Sequence, residues 1–166
     1  MNIQYNRQVL YRIRIYIWII IIGLALSGIT AFPIETELSY WLPHLSNSKG
    51  FLTEWVNRVY VAVHRTNLQY PFLSYGTDWL AFAHLMLAIL FVGPLRDPVK
   101  NIWVIQFGMI ASVLIIPLAF IAGPIRHIPF FWQLIDCSFG VICMIPLYLS
   151  YKDIKILTKN LQRTNI

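Results

Sequence analysis

The sequence predicts an all-α integral membrane protein, a four-helix bundle with an amphipathic helix in the outer loop between its first and second spans. Three observations carry that expectation. Hydrophobic residues make up 58% of the chain and charged residues only 12%, against about 25% charged in a typical soluble domain. Four apolar runs are long enough to cross a hydrocarbon core of ~30 Å. Basic residues gather at alternate ends of those runs, as multi-pass proteins require. The 166 residues read as a single transmembrane domain, with spans at about 14–32, 79–95, 102–122 and 128–150 and an outer loop at about 33–77.

The first span, Arg14–Phe32, is closed by Pro33. Basic residues, an apolar stretch and then Thr30-Ala31 also have the outline of a secretory signal. Ile29 suits a small-residue cleavage pocket poorly and the apolar stretch is long, so a retained span is expected. In the outer loop, Leu52, Trp55, Val56, Val59, Tyr60 and Val63 recur at helical spacing, while Glu54, Asn57, Arg58 and Arg65 take other positions. That pattern predicts an amphipathic helix of about 15 residues on the membrane interface, a packing cover or a substrate lid. Tyr70-Pro71 and Tyr75-Gly76-Thr77 read as turns, with Thr77 or Asp78 capping span two. Asp97 reads as the cap of a turn before Pro98. Pro94, Pro117 and Pro146 fall within or near spans, where neighbours can satisfy the freed carbonyls.

Orientation follows from lysine and arginine. Arg7, Arg12, Arg14, Arg96, Lys100, Lys152, Lys155, Lys159 and Arg163 share one side; Lys49, Arg58, Arg65 and Arg126 are spread over the other. The positive-inside rule then puts both termini in the cytoplasm. The formal charge of +6 is a topology signal, so nucleic acid is not an expected partner. Trp18 and Trp103 fall near the inner interface, Trp79 and Trp132 near the outer one, as aromatic belts do.

Chemistry, if any, is best sought at Asp136, the only charge in the 23-residue run Ile128–Ser150. A carboxylate at that depth is costly and usually faces a bundle interior or a wet cavity. At 1.5 Å per helical residue, His84 lies about 9 Å beyond Asp78 and Asp136 about 12 Å beyond Ile128. Ser27 and Thr30 lie about 9 and 4–5 Å before Pro33 on the same scale. These four share an outer-leaflet stratum, with Glu35, Glu37, Asp78, Arg126 and His127 in a ring above it. The inner half offers less: Gln106 on span three, then the Arg96-Asp97-Pro98 turn. His84 and Asp136 are therefore the candidate acid–base residues, alternatively a register-fixing pair. Ser27, Thr30, Glu35, Glu37, Asp78 and Arg126 are the candidate ligand-binding groups, with Arg126 suited to an anionic head group or to an ion pair with Glu35 or Glu37.

No cofactor is expected. His84 is the one histidine at membrane depth, which argues against a bis-histidine haem, and no ligand pair at helical spacing supports a metal. Cys137 and Cys143 lie in the last apolar run and read as packing residues, with no disulfide framework.

The stretches Tyr75–His84 (YGTDWLAFAH), Arg96–Asn101 (RDPVKN) and Gly123–Gly140 (GPIRHIPFFWQLIDCSFG) resemble a family of small four-span bacterial membrane proteins to which no activity is attached. The resemblance implies a bacterial inner-membrane location and no residue roles. In outline only, one span, a long outer loop and three close spans also resemble the EXPERA family, which includes sterol isomerases and the sigma-2 receptor, and the DoxX-like proteins. The EXPERA likeness implies a lipid-like ligand beside buried acidic and histidine side chains, without transferring any position.

Three functions follow as expectations. The first is a lipid-facing pocket protein, binding a membrane lipid or other apolar small molecule and able to do acid–base chemistry. The second is a non-catalytic subunit of a larger membrane complex, with protein partners in the membrane. The third, a proton or ion carrier, is disfavoured by four spans, no inverted repeat and no polar chain through the inner half.

Overall fold

A computed structural model describes residues 3–45 and 50–164 and is all-α there. Four stretches, Asn6–Ala31, Pro71–Arg96, Ile102–Ile125 and Phe130–Gln162, are long and apolar enough to cross a membrane. The helices in order are α1 (Ile3–Ala31), α2 (Ile34–Leu45), α3 (Phe51–Gln69), α4 (Pro71–Leu90), α5 (Val92–Arg96), α6 (Ile102–Ile125) and α7 (Phe130–Thr164). They fall into two compact units, one of Met1–Ile22 with Ala88–Ile166 and one of Gly23–Leu87.

In the first of these units the α6–α7 hairpin is central. Its turn is a Schellman motif: the Ile128 N–H donates to the Gly123 carbonyl at 2.9 Å and the His127 N–H to the Pro124 carbonyl at 3.1 Å. His127 takes the left-handed conformation that motif needs, at φ 55°. Small residues then bring the two backbones together. A β-carbon at position 140 would sit 2.5 Å from the Ser112 carbonyl oxygen, and one at 108 would meet Phe91 and Leu147. At the turn, the Gln133 side chain fills the space over Gly123 and donates to the Ile128 carbonyl at 2.8 Å.

The other contact in this unit joins the first and last helices. Arg12 Nη2 donates to Asp153 Oδ1 at 3.1 Å, and Asn160 donates to Asn6 at 3.0 Å. The two pairings run in opposite directions along the chain, so these segments of α1 and α7 are antiparallel. The stripes beside them, Val9, Ile13 and Ile17 on α1 and Ser150, Ile154 and Leu157 on α7, are buried. α7 is thus a continuous helix well past Ser150, where the sequence shows mainly a basic tail. Asp97 caps its turn as expected, accepting from the Lys100 N–H at 3.1 Å, and that bond holds its carboxyl below the usual range.

In the second unit, Gly28 of α1 lies against Ala81 and Leu85 of α4. The amphipathic helix expected in the outer loop is present as α3, and a second helix, α2, precedes it. α2 escapes notice because Pro33 and Pro43 read as breakers. Pro33 instead lies ahead of the helix and accepts from the Glu37 N–H at 2.9 Å, and Pro43 falls in its last turn. Span two begins earlier than Trp79, because Pro71 opens α4 at the position where a missing N–H costs nothing. Tyr75-Gly76-Thr77 is therefore helical, and neither Thr77 nor Asp78 is a cap.

These close approaches make Gly140 and Gly23 an instructive pair. Gly140→Ala should lower stability by roughly 1–3 kcal/mol, because a methyl group would push against backbone. Gly23→Ala, with nothing within 4 Å of its added carbon, should be neutral or gain up to about 1 kcal/mol of helix propensity. Equal thermal unfolding of the two variants in detergent would contradict the packing described.

Candidate functional site

Of the eight residues singled out in the sequence, Ser27, Thr30, Glu35, Glu37, Asp78 and His84 belong to one unit, and Arg126 and Asp136 to the other. Within the first group, several polar atoms are already used. The Thr30 hydroxyl donates back to the Leu26 carbonyl at 2.9 Å and to that of Ser27 at 3.5 Å. Both Ser27 and Thr30 are exposed. His84 Nδ1 lies 2.8 Å from the Leu80 carbonyl. A carbonyl can only accept, so Nδ1 carries the proton and Nε2 is the acceptor of the neutral ring. Glu37 and Asp78 are half-buried.

Glu35 sits in a cluster that the sequence reading missed. Its Oε1 accepts from His64 Nδ1 at 2.6 Å, its Oε2 accepts from the Asn67 amide, and the Asn67 oxygen accepts from the Ser74 hydroxyl. The His64 ring stacks on Tyr60, with centroids 5.7 Å apart. These hydrogen bonds, His64 first and Asn67 second, hold the Glu35 carboxyl below its usual range. A carboxylate on Nδ1 orients the imidazole and leaves Nε2 as its accepting nitrogen, the arrangement used by general bases and by metal-binding histidines. Among the described residues, no group of three or more histidine, cysteine, aspartate and glutamate side chains forms a metal site.

The signal for this cluster was present in the periodicity. His64 and Asn67 continue the Val56, Tyr60 stripe at steps of four and three, and all four are half-buried. Ending the apolar face at Val63 hid them. Glu35 faces them only because α2 exists and packs on α3.

In the other unit, Asp136 is half-buried on α7 and has no hydrogen bond or ion pair among the described residues. One turn further along the same face is Gly140, where an apolar groove of about 390 Å³ opens between α6 and α7. Ser112, Val113 and Ile116 form one wall; Val141, Met144 and Tyr148 lie on the other. Asp136, Gly140, Met144 and Tyr148 follow at steps of four, so the carboxylate shares the stripe that lines the groove. Arg126 ends α6 at the hairpin turn and its side chain is exposed.

Comparison with protein-family models, with curated proteins and with solved structures finds no match to this chain.

The Glu35 cluster has a pH signature. A carboxyl depressed in the folded state stabilises the fold above its unfolded value, and that contribution fades as pH falls through the folded value. Protection of α2 and α3 against hydrogen exchange, corrected for the pH dependence of intrinsic exchange, should therefore fall on acidification into the carboxylate range, and Glu35→Gln should remove most of that acid dependence. An unchanged profile in Glu35→Gln would show that another carboxyl is responsible.

Proposed function

We propose that this protein is a multi-pass protein of the bacterial plasma membrane, with both termini cytoplasmic, that binds a lipid-like amphiphile. The apolar tail occupies the α6–α7 groove, and the head group meets Asp136 in the outer half of the membrane. The observation that carries the reading is Asp136 itself, a carboxylate without a protein partner among the described residues, one turn from an apolar groove. A charge left unpaired at membrane depth is a functional-site hypothesis by default. The groove volume lies in the range of small-molecule sites, about 300–1,000 Å³. An ionised carboxylate only accepts hydrogen bonds. In that form it suits a head group that supplies donors, as a hydroxyl, amide or ammonium does. Arg126, at the hairpin turn, suits an anionic group nearer the surface.

Mass spectrometry of amphiphiles retained through mild-detergent purification tests this. Asp136→Asn should reduce retention about tenfold or more, the equivalent of the ~1.5–3 kcal/mol of a charged hydrogen bond. Val113→Trp should reduce it by filling the groove. Native retention in both variants would exclude this site.

A second reading is favoured by the exposure of the spans. Only 17–28% of the residues in the four apolar windows are buried, which leaves faces for helices of a partner in a larger membrane complex. A stoichiometric membrane partner recovered with the native protein, together with an empty groove, would favour that role.

The orientation is separately testable. A reporter that fluoresces only in the cytoplasm should be bright when fused after residue 166 and dark when inserted between residues 45 and 50. The reverse pattern would invert the topology.

A further inference from the structure

We propose that the start of α1 holds the phosphate of an anionic membrane lipid, at a site separate from the α6–α7 groove. A cavity of about 540 Å³ is lined there by Gln4, Arg7, Gln8, Val9, Tyr11 and Arg12. Among the described residues its polar lining consists of two guanidinium groups, two carboxamides and a phenol, with the Asp153 carboxylate bonded to one guanidinium but not itself in the lining. Such a set offers many hydrogen-bond donors and a net positive charge, which suits phosphate oxygens.

Three features make this more than a generally basic surface. Arg12 is positioned: one nitrogen bonds Asp153 at 3.1 Å while the side chain stays 51% exposed, so its remaining donors can serve a ligand. The helix carrying the cavity is anchored within the same stretch by the Asn6–Asn160 bond, so its wall is held against α7. Buried Val9 and the ring of exposed Tyr11 also line the cavity, putting apolar surface next to the charges. Depth supports a lipid source. These residues begin the apolar stretch Asn6–Ala31, and charged side chains at the end of a span lie at head-group level.

The recognised chemistry is a phosphate, which could belong to a lipid or be free in solution. The experiment titrates the full-length protein in detergent with phosphatidylglycerol or phosphatidylcholine and reads lipid-bound states by native mass spectrometry. Inorganic phosphate serves as competitor. Phosphatidylglycerol should bind more tightly than phosphatidylcholine, and inorganic phosphate should compete only weakly. Arg7→Gln should weaken phosphatidylglycerol binding about tenfold, as loss of a charge-assisted contact does. Lys155→Gln, the same charge change on α7, should weaken it less than about threefold.

Asp153→Asn separates a built site from diffuse attraction. It raises the net positive charge, so diffuse attraction predicts tighter binding. Loss of the anchor on Arg12 predicts weaker binding. Because Asp153→Asn also removes a buried contact, Arg7→Gln, which breaks no bond seen among the described residues, carries the result if that variant unfolds. Equal binding of the two lipids, or equal losses for Arg7→Gln and Lys155→Gln, would overturn the proposal. Strong competition by inorganic phosphate would overturn its lipid assignment.

Discussion

Apolar side chains gain little by leaving lipid for one another, so helices in a membrane must be held by close backbone approach and by polar bonds. That constraint organises the unit built on α6 and α7. Gly140 faces the Ser112 backbone, Gly108 meets Phe91 and Leu147, and Gln133 fills the space over Gly123. At the other end, Arg12–Asp153 and Asn6–Asn160 do by hydrogen bonding what small residues do along the hairpin. The α6–α7 groove is a consequence of the same geometry. Ser112 and Gly140, where the helices meet, line it together with larger side chains of both helices.

The same constraint governs the polar side chains within the spans. Several return their hydrogen to their own helix: Thr30 to Leu26, His84 to Leu80, Ser112 to Gly108 and Ser138 to Ile135. A donor can be satisfied in this way because the preceding carbonyls are within reach. A carboxylate cannot, since it has no proton to give and helix carbonyls repel it. This is the physical reason that Asp136 stands apart from Thr30 and His84, with which the depth of the residues alone had grouped it. Outside the spans, the carboxylate of Glu35 finds donors from a neighbouring helix, and the result is a hydrogen-bonded cluster with an oriented histidine.

Elements with a continuous apolar signal were legible in the chain, and those whose signal depends on a neighbour were not. The four spans and the amphipathic face of α3 follow from hydropathy and period. α2 was hidden by Pro33, which lies just ahead of the helix, and by Pro43 in its last turn. The early start of α4 was hidden by Pro71 and Gly76, which read as turn residues although each is compatible with this helix. The second half of α7 carries Asp153, Ile154, Leu157 and Asn160 at helical spacing, but its lysines dominate the reading. His64 and Asn67 could have been found by extending the α3 stripe one more turn.

Sequence alone determined the class of this protein, because length and apolarity decide whether a helix can cross a membrane and those are local properties of the chain. It also marked Asp136 as a costly charge, since that cost depends on the apolar run around it. Tertiary structure decided which polar groups have partners. Glu35 pairs with His64 across 29 positions and Arg12 with Asp153 across 141, separations at which no periodicity carries information. It also decided that Asp136 lies one turn from a groove, because that groove is lined from two helices, α6 and α7.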